Sequence, residues 1–175
     1  SVSFDVMLDM AQVPEPMTGR MIALPGHGAP RLNRLSLRAG RWIDAPRSNQ
    51  VLVGEAFANA RKLKPGDKLY APLNGKREQL QVVGVVLSPE YIFAHGPGGG
   101  AEGNFGVFWM GRQRLASAFN SEGAFNRVAL RLSHDASEEA VIHALDRVLE
   151  TYGSTGAHGR DEQISHQALT QEINE

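Results

Sequence analysis

The sequence of 175 residues contains no cysteine. Disulfides and thiolate metal sites are therefore excluded, while the redox compartment stays open, because many periplasmic proteins avoid cysteine altogether. Charge of one sign is lacking too: 18 basic residues against 19 acidic ones leave a net charge of -1. Such a chain offers no field to attract a phosphate backbone, and nucleic acid is not an expected partner. Long hydrophobic runs are also missing. The most apolar stretch, Val82 and Val83 followed by 85–87 and broken by Gly84, is far shorter than the roughly 20 residues that span a bilayer. The opening "SVSFDVMLDM" alternates apolar and polar residues and has no basic n-region, so no secretory signal is read there. Two expectations remain: a cytosolic protein, or a segment of something larger.

What is present is an ordinary globular balance, 42% hydrophobic and 21% charged residues, which argues against disorder and predicts one compact unit with a good core. In "SFDVML" the residues Phe4, Val6 and Leu8 recur at period two, the mark of a half-buried strand, and "VPEP" ends it. "GRMIALPGHGAP" predicts a short apolar strand, and "NRLSLRAGRWI" alternates Leu35 and Leu37 against Arg34, Ser36 and Arg38. After the strand "VLV", Ala56, Phe57, Ala60 and Leu63 change to helical spacing, and Pro65 with Gly66 punctuates the end.

The clearest local signal lies in "LKPGDKLYAPLNGKREQLQVVGVVLSPE". "KPGD" fits a type II turn, with Pro65 presetting its backbone angle and Gly66 free to take positive φ. Asn74 and Gly75 suit the left-handed backbone of a type I′ hairpin. The second strand alternates at Leu80 and Val82 and then becomes continuously apolar, as expected for a strand passing into a buried centre, with Gly84 marking a bulge or a close backbone approach. Farther on, "GPGGGAEGN" reads as a loop, "FGVFWM" as a buried strand, "GRQRLASAF" as a short helix with Leu115, Ala116 and Phe119 on one side, and "FNRVALRL" as an alternating strand. A helix over about 135–150, capped by Asp135 or Ser137, is predicted to turn Val141, Leu145, Val148 and Leu149 inward. The strand and helix together resemble half of a split βαβ unit. The tail from about Gln163 is helix-capable, with a thin stripe of Ile164, Leu169 and Ile173.

Residues that could carry chemistry are scattered. His27, His95, His134, His143, His158 and His166 show no spacing that would place two imidazoles on one helix face, so no metal site is expected. "GHGAP" and "HGPGGG" are Gly-rich, yet neither has the context of a phosphate loop. No G-x-S-x-G elbow is present. Asp161, Glu162 and His166 offer acid and base groups, but acidic residues opening a helix are explained by its dipole. No catalytic, cofactor or metal residue is assigned. Around the Gly-rich loop, Tyr91, Phe93 and Phe105 are the residues expected to edge an apolar groove and to contact a partner or ligand.

The run "VLVGEAFANARKLKPGDKLYAPLNGKREQLQVVGVVLSPEYIFA", followed by "FGVFWMGRQRLASAFNSEGAFNRVALRL", resembles the extracytoplasmic domain of ABC transporter permeases of the FtsX/LolC/MacB type. "LRAGRW", "VLVGEAFA", "LKPGDKL", "LQVVGVV" and "FGVFWM" match the family's pieces in order, and "LSPEYI", "GAFNRVALRL" and "GRDEQISH" resemble a bacterial subgroup. The resemblance runs from about Gly19 to the tail. It implies an α+β fold of mostly antiparallel strands. Residues 1–12 and 125–160 would form a porter-like lobe whose first strand and helix are missing here, 13–124 an inserted β-rich, Sabre-like lobe, and 161–175 a helix leading towards a transmembrane segment.

The same resemblance implies a non-catalytic periplasmic domain without cofactors, part of an integral protein of the bacterial inner membrane. It would couple ATP-driven movement of membrane helices to handling of a lipid, lipoprotein, peptide or drug, or to activation of a partner. Its partners would be a separate ATP-binding subunit, a second permease copy, and a periplasmic or envelope protein or lipid. The residues alone also admit a stand-alone cytosolic small-molecule sensor, built around the Gly-rich loop and its aromatics.

Overall fold

The computed structural model describes residues 1–9, 17–25, 32–45, 47–92 and 103–162. In chain order these form β1 (Ser3–Leu8), β2 (Met17–Leu24), β3 (Ser36–Gly40), β4 (Gln50–Gly54), α1 (Glu55–Arg61), β5 (Lys68–Leu73), β6 (Lys76–Leu87), β7 (Phe105–Gly111), α2 (Arg112–Ala118) and α3 (Glu138–Leu149). The fold is α+β. Four strand pairings are antiparallel, while β2 with β7 and β4 with β6 are parallel. Instead of one compact unit, the chain divides into two, residues 1–128 and 129–175. β1 pairs with β2 inside the first of these. That grouping differs from the one drawn from resemblance, which joined 1–12 to 125–160.

The first unit is a sheet in the order β1-β2-β7-β4-β6-β3, with β5 added on β6. β6 spans 12 residues and serves three neighbours, because β5 lies along its first half while β4 and β3 lie along its second. Its hairpin with β5 closes on Asn74 at φ 49 and Gly75 at φ 80, the left-handed pair that a two-residue turn requires. The preceding turn places Gly66 at φ 102, with the Asp67 amide donating to the Lys64 carbonyl at 3.1 Å. β5 then reaches β1: Asp9 and Tyr70 exchange both backbone hydrogen bonds, at 2.8 and 3.1 Å. The sheet thus curls until β5 meets the end of β1 at a single bridge, while β3 pairs with β6 alone among the described strands and keeps an outer edge.

Alternation along each strand sorts side chains to the two sides of this curled sheet. Val6, Leu8, Met21, Val51, Val53, Leu69, Leu80, Val82, Phe108 and Met110 share one core with Phe57 of α1 and Leu115 of α2. Ile22, Leu52, Val83, Val86, Val107 and Trp109 form a second core, covered by Leu35 and by parts of Leu37, Ile43 and Tyr91. Both faces of β7 are therefore covered, and all seven of its residues are buried. In α1 the buried residues are Phe57 and Ala58, whereas Ala56 and Ala60 face solvent. The helix is rotated by about one position from the expected stripe, since a helix of only seven residues takes its phase from its one large apolar anchor, Phe57.

Gly84 fulfils both roles expected of it. Between Val51 and Leu52 the β4 register skips one residue on β6, from Val82 to Gly84, so Val82 and Val85 fall in the same core. A Cβ on Gly84 would lie 2.5 Å from the Arg41 carbonyl oxygen, and one on its cross-strand partner Gly40 would lie 2.3 Å from the Val83 oxygen. These are backbone obstacles, unable to rotate away.

The second unit departs most from expectation. Residues 127–132 form no strand, and Val128 and Leu130 are more than half exposed. No described residue of 129–162 forms a strand, so among the described residues of this unit the segment has no partner to complete a ladder, and an isolated strand is not stable. α3 forms as predicted and Ser137 caps it, its Oγ accepting from the Ala140 amide at 3.3 Å. None of its residues is buried; Val141, Ile142, Leu145 and Leu149 are half-buried, and Val148 is 64% exposed rather than inward. The predicted tail helix from Gln163 lies outside the described residues.

Three substitutions test these backbone arguments. Gly84→Ala should lower the unfolding free energy by about 2–3 kcal/mol through overpacking, whereas Gly75→Ala, with open space around it, should cost only about 1 kcal/mol for its left-handed backbone. Lys62 ends α1 at φ 55, so Lys62→Gly should stabilise the chain by about 0.5–1 kcal/mol. Urea unfolding midpoints read all three.

Candidate functional site

A polar network of the first unit gathers where β6 ends. Beyond Leu87, the buried Ser88 receives the Glu90 amide on its Oγ at 3.3 Å, and the Tyr91 amide donates to its carbonyl at 3.2 Å. This tight turn presents Glu90 and Tyr91 side by side to Arg127, which approaches from 36 residues farther along the chain. The Arg127 guanidinium donates through Nη1 to the Tyr91 hydroxyl at 2.5 Å and through Nη2 to Glu90 Oε1. Asn33 Nδ2 donates to the other Glu90 oxygen at 2.8 Å. The ion pair is partly sheltered, its side chains 33% and 20% exposed. A charge-assisted contact there is worth more than a pair on the open surface.

A second guanidinium borders the cluster from β2. Arg20 grips Asp5 of β1 with two parallel bonds, Nε to Oδ1 at 2.7 Å and Nη2 to Oδ2 at 2.9 Å, and its Cζ stands 5.8 Å from the Phe105 ring centre. Hydrogen bonding to Asp5 raises the Arg20 pKa against the cost of burial, with Tyr91 adding in the same direction. Burial, then the neighbouring Glu90 charge, push the Tyr91 phenol up, and the two arginines only partly oppose them. For Arg127, burial works against the charge, yet Tyr91 and Glu90 outweigh it and raise its pKa. The phenol therefore stays neutral and accepts from a guanidinium that stays charged.

On its other side the Tyr91 ring meets Trp109 edge to face, with centroids 6.2 Å apart. Between them and α1 opens a cleft of about 190 Å³, lined by Ala56, Asn59, Val86, Tyr91, Ile92 and Trp109. Drug-sized ligands occupy pockets of roughly 300–1,000 Å³. The cleft is smaller than that range. Past the Gly-rich segment, Arg61 donates through Nε to the Gly103 carbonyl at 2.8 Å and through Nη2 to Asn104 Oδ1. The chain is thus fastened just before that segment, at Tyr91, and just after it, at Asn104.

Of the three residues expected to contact a partner, Tyr91 lines the cleft, while Phe105 is buried in the second core beneath Arg20. Phe93 lies outside the described residues, as do the two Gly-rich stretches at 26–30 and 95–100. Among the described residues no group of three His, Asp or Glu side chains could hold a metal. His143 stands 3.9 Å from Glu139 on the exposed side of α3. Asp161 and Glu162 sit in an exposed turn, and His166 lies outside the described residues. Sequence reasoning missed Arg20, Asn33, Glu90 and Arg127. The signal available was indirect, because "LSPEYI" and "GAFNRVALRL" contain Glu90, Tyr91, Asn126 and Arg127, but nothing in either phrase says that they meet.

No protein-family model matches the chain, and no curated protein matches it. Solved structures do. The extracellular domain of the noncanonical ABC-type transporter YknZ from Gram-positive bacteria aligns over 90% of this chain and 76% of its own, with 15% identity and a TM-score of 0.50. The chain has the fold of an ABC-transporter extracellular domain. The periplasmic region of MacB from Actinobacillus actinomycetemcomitans aligns over 99% of this chain and 73% of its own, with 14% identity and a TM-score of 0.46. Within the transporter-type fold, the network around Arg127 and Tyr91 occupies the last described turn before the Gly-rich segment and the last residues of the first unit. No helix among the described residues is long and apolar enough to cross a membrane.

The raised Tyr91 pKa has a sign that can be checked. The folded chain holds the phenolic proton more tightly than the unfolded one, so stability is level below the ordinary tyrosine value of about 10 and falls as pH rises through it. Tyr91→Phe should remove this part of the alkaline decline. Urea midpoints between pH 8 and 11 should fall less steeply in the variant than in the wild type.

Proposed function

We propose that the chain is an extracytoplasmic domain of an ABC transporter permease, and that it binds and relays motion rather than catalysing a reaction. The observation that carries this reading is the fold shared with the YknZ extracellular domain across 90% of the chain. The parent protein would hold the domain outside the bacterial inner membrane, pair with a second permease copy and receive its energy from a separate ATP-binding subunit. The curled sheet supports the relay, since strands that share one close-packed core behind the β1–β5 contact resist bending and pass displacement to whatever they touch. The cleft beside Tyr91 and Trp109 supports contact with one apolar group of a lipid, lipoprotein, peptide or drug, or with a side chain of an envelope partner. A ligand or partner can bias such a relay only by binding its two states unequally.

The test is made on the parent protein. Its reading frame should place hydrophobic spans before Ser1 and after Glu175, and alkaline phosphatase fused within this domain should be active in intact bacteria, as on the outer side of the membrane. A frame without such spans, together with strong thermal stabilisation of the chain by soluble metabolites, would replace this reading with that of a cytosolic sensor.

A further inference from the structure

Two consecutive residues, Asn126 and Arg127, fasten the chain at the point where the first compact unit ends. Their backbone amides both donate to the Ser1 carbonyl at 3.1 Å. The Asn126 side chain imitates a strand neighbour for β1, since its Nδ2 donates to the Ser3 carbonyl at 2.7 Å and its Oδ1 accepts the Ser3 amide at 2.8 Å. The Arg127 side chain runs the other way, to Glu90 and Tyr91. Three stretches far apart in sequence, 1–3, 88–91 and 126–127, are thereby joined although none of 124–128 is in a strand. The next apolar residues of the chain, Val128 and Leu130, are 52% and 54% exposed.

We propose that Asn126 and Arg127 form a releasable joint that sets where the chain becomes free to move relative to the closed sheet. With the joint made, displacement arriving through the chain beyond 128 acts directly on β1 and on the turn after β6. With it broken, the residues back to α2 add slack, and the same displacement is absorbed. Side-chain bonds suit this task better than a strand ladder, because a few of them break together without opening the core. Tyr91 belongs both to the joint and to the cleft wall, so a group seated in the cleft acts on the joint through one shared side chain. The use of the joint rests on the relay reading, but its existence does not.

Limited proteolysis of the whole chain tests it with an internal control. Trypsin can cut after Arg127 and after the exposed Arg131. In the wild type the first cut should be much slower than the second. Asn126→Ala and, separately, Glu90→Gln should speed cutting after Arg127 by on the order of tenfold to a hundredfold, from the loss of hydrogen bonds at a partly buried charged site. The rate after Arg131 should stay nearly constant, and the thermal midpoint should fall by no more than the several degrees that the same lost bonds account for, which separates joint release from general unfolding. Equal rates at both sites in the wild type, no acceleration in either variant, or parallel acceleration at both sites would each overturn the proposal. A parent protein without membrane spans would instead remove the relay reading and leave a protected Arg127 site standing.

Discussion

Two backbone hydrogen bonds between Asp9 and Tyr70 turn an open ribbon of strands into a ring. Without them no backbone hydrogen bond would join β5 to the end of β1, and the core that the two strands share through Val6, Leu8, Leu69 and Leu73 would open on that side. Side chains reinforce the closure only at the surface. Arg77 binds Asp9 Oδ2 at 2.7 Å and stands 4.1 Å over the Tyr70 ring, and an exposed pair of that kind contributes little by itself. The cooperative weight comes instead from the shared core behind the seam. The length of β6 makes this possible, since a shorter strand could not hold β4 and β3 at one end and deliver β5 to β1 at the other.

The elements that were legible in the sequence are those whose information is local. Asn74 with Gly75 specified a hairpin because few residues tolerate that backbone, and the change from alternation to continuous apolarity in β6 foretold where the strand enters the double core. Gly84 could be read as a close approach, though its neighbour Gly40 could not be named from sequence alone. Local information failed where pairing decides. "VALRL" has the pattern of a strand, yet a strand needs a ladder, and none forms around it within 129–162. For α3 the cap was legible through Ser137, while the inward face was not, because a face becomes inward only against something.

The site divides in the same way. Tyr91 was singled out by its place beside a Gly-rich segment, and it does line a cleft; Phe105 shared that place and proved to be core, because alternation in β7 turns it towards Trp109 and Val107. Arg127 could not be found from sequence, since its partners lie 36 and 37 residues away and an arginine after an asparagine carries no signature. Yet these long-range contacts give the domain its character. A relay of the kind proposed above would have to be stiff across its body and defined at the points where motion enters; the ring would supply the first property and the network from Arg127 to Glu90 and Tyr91 the second.

Native-state hydrogen exchange at the seam tests the central claim of a closed, stiff body most directly. If the ring is cooperative, the amides of Asp9 and Tyr70 open with the same free energy as those of Val53 and Phe108 in the core, reporting one global unfolding event. Exchange of Asp9 and Tyr70 through a separate low-energy opening, while Val53 and Phe108 stay protected, would mean that the sheet unzips at its seam and cannot carry displacement as a unit.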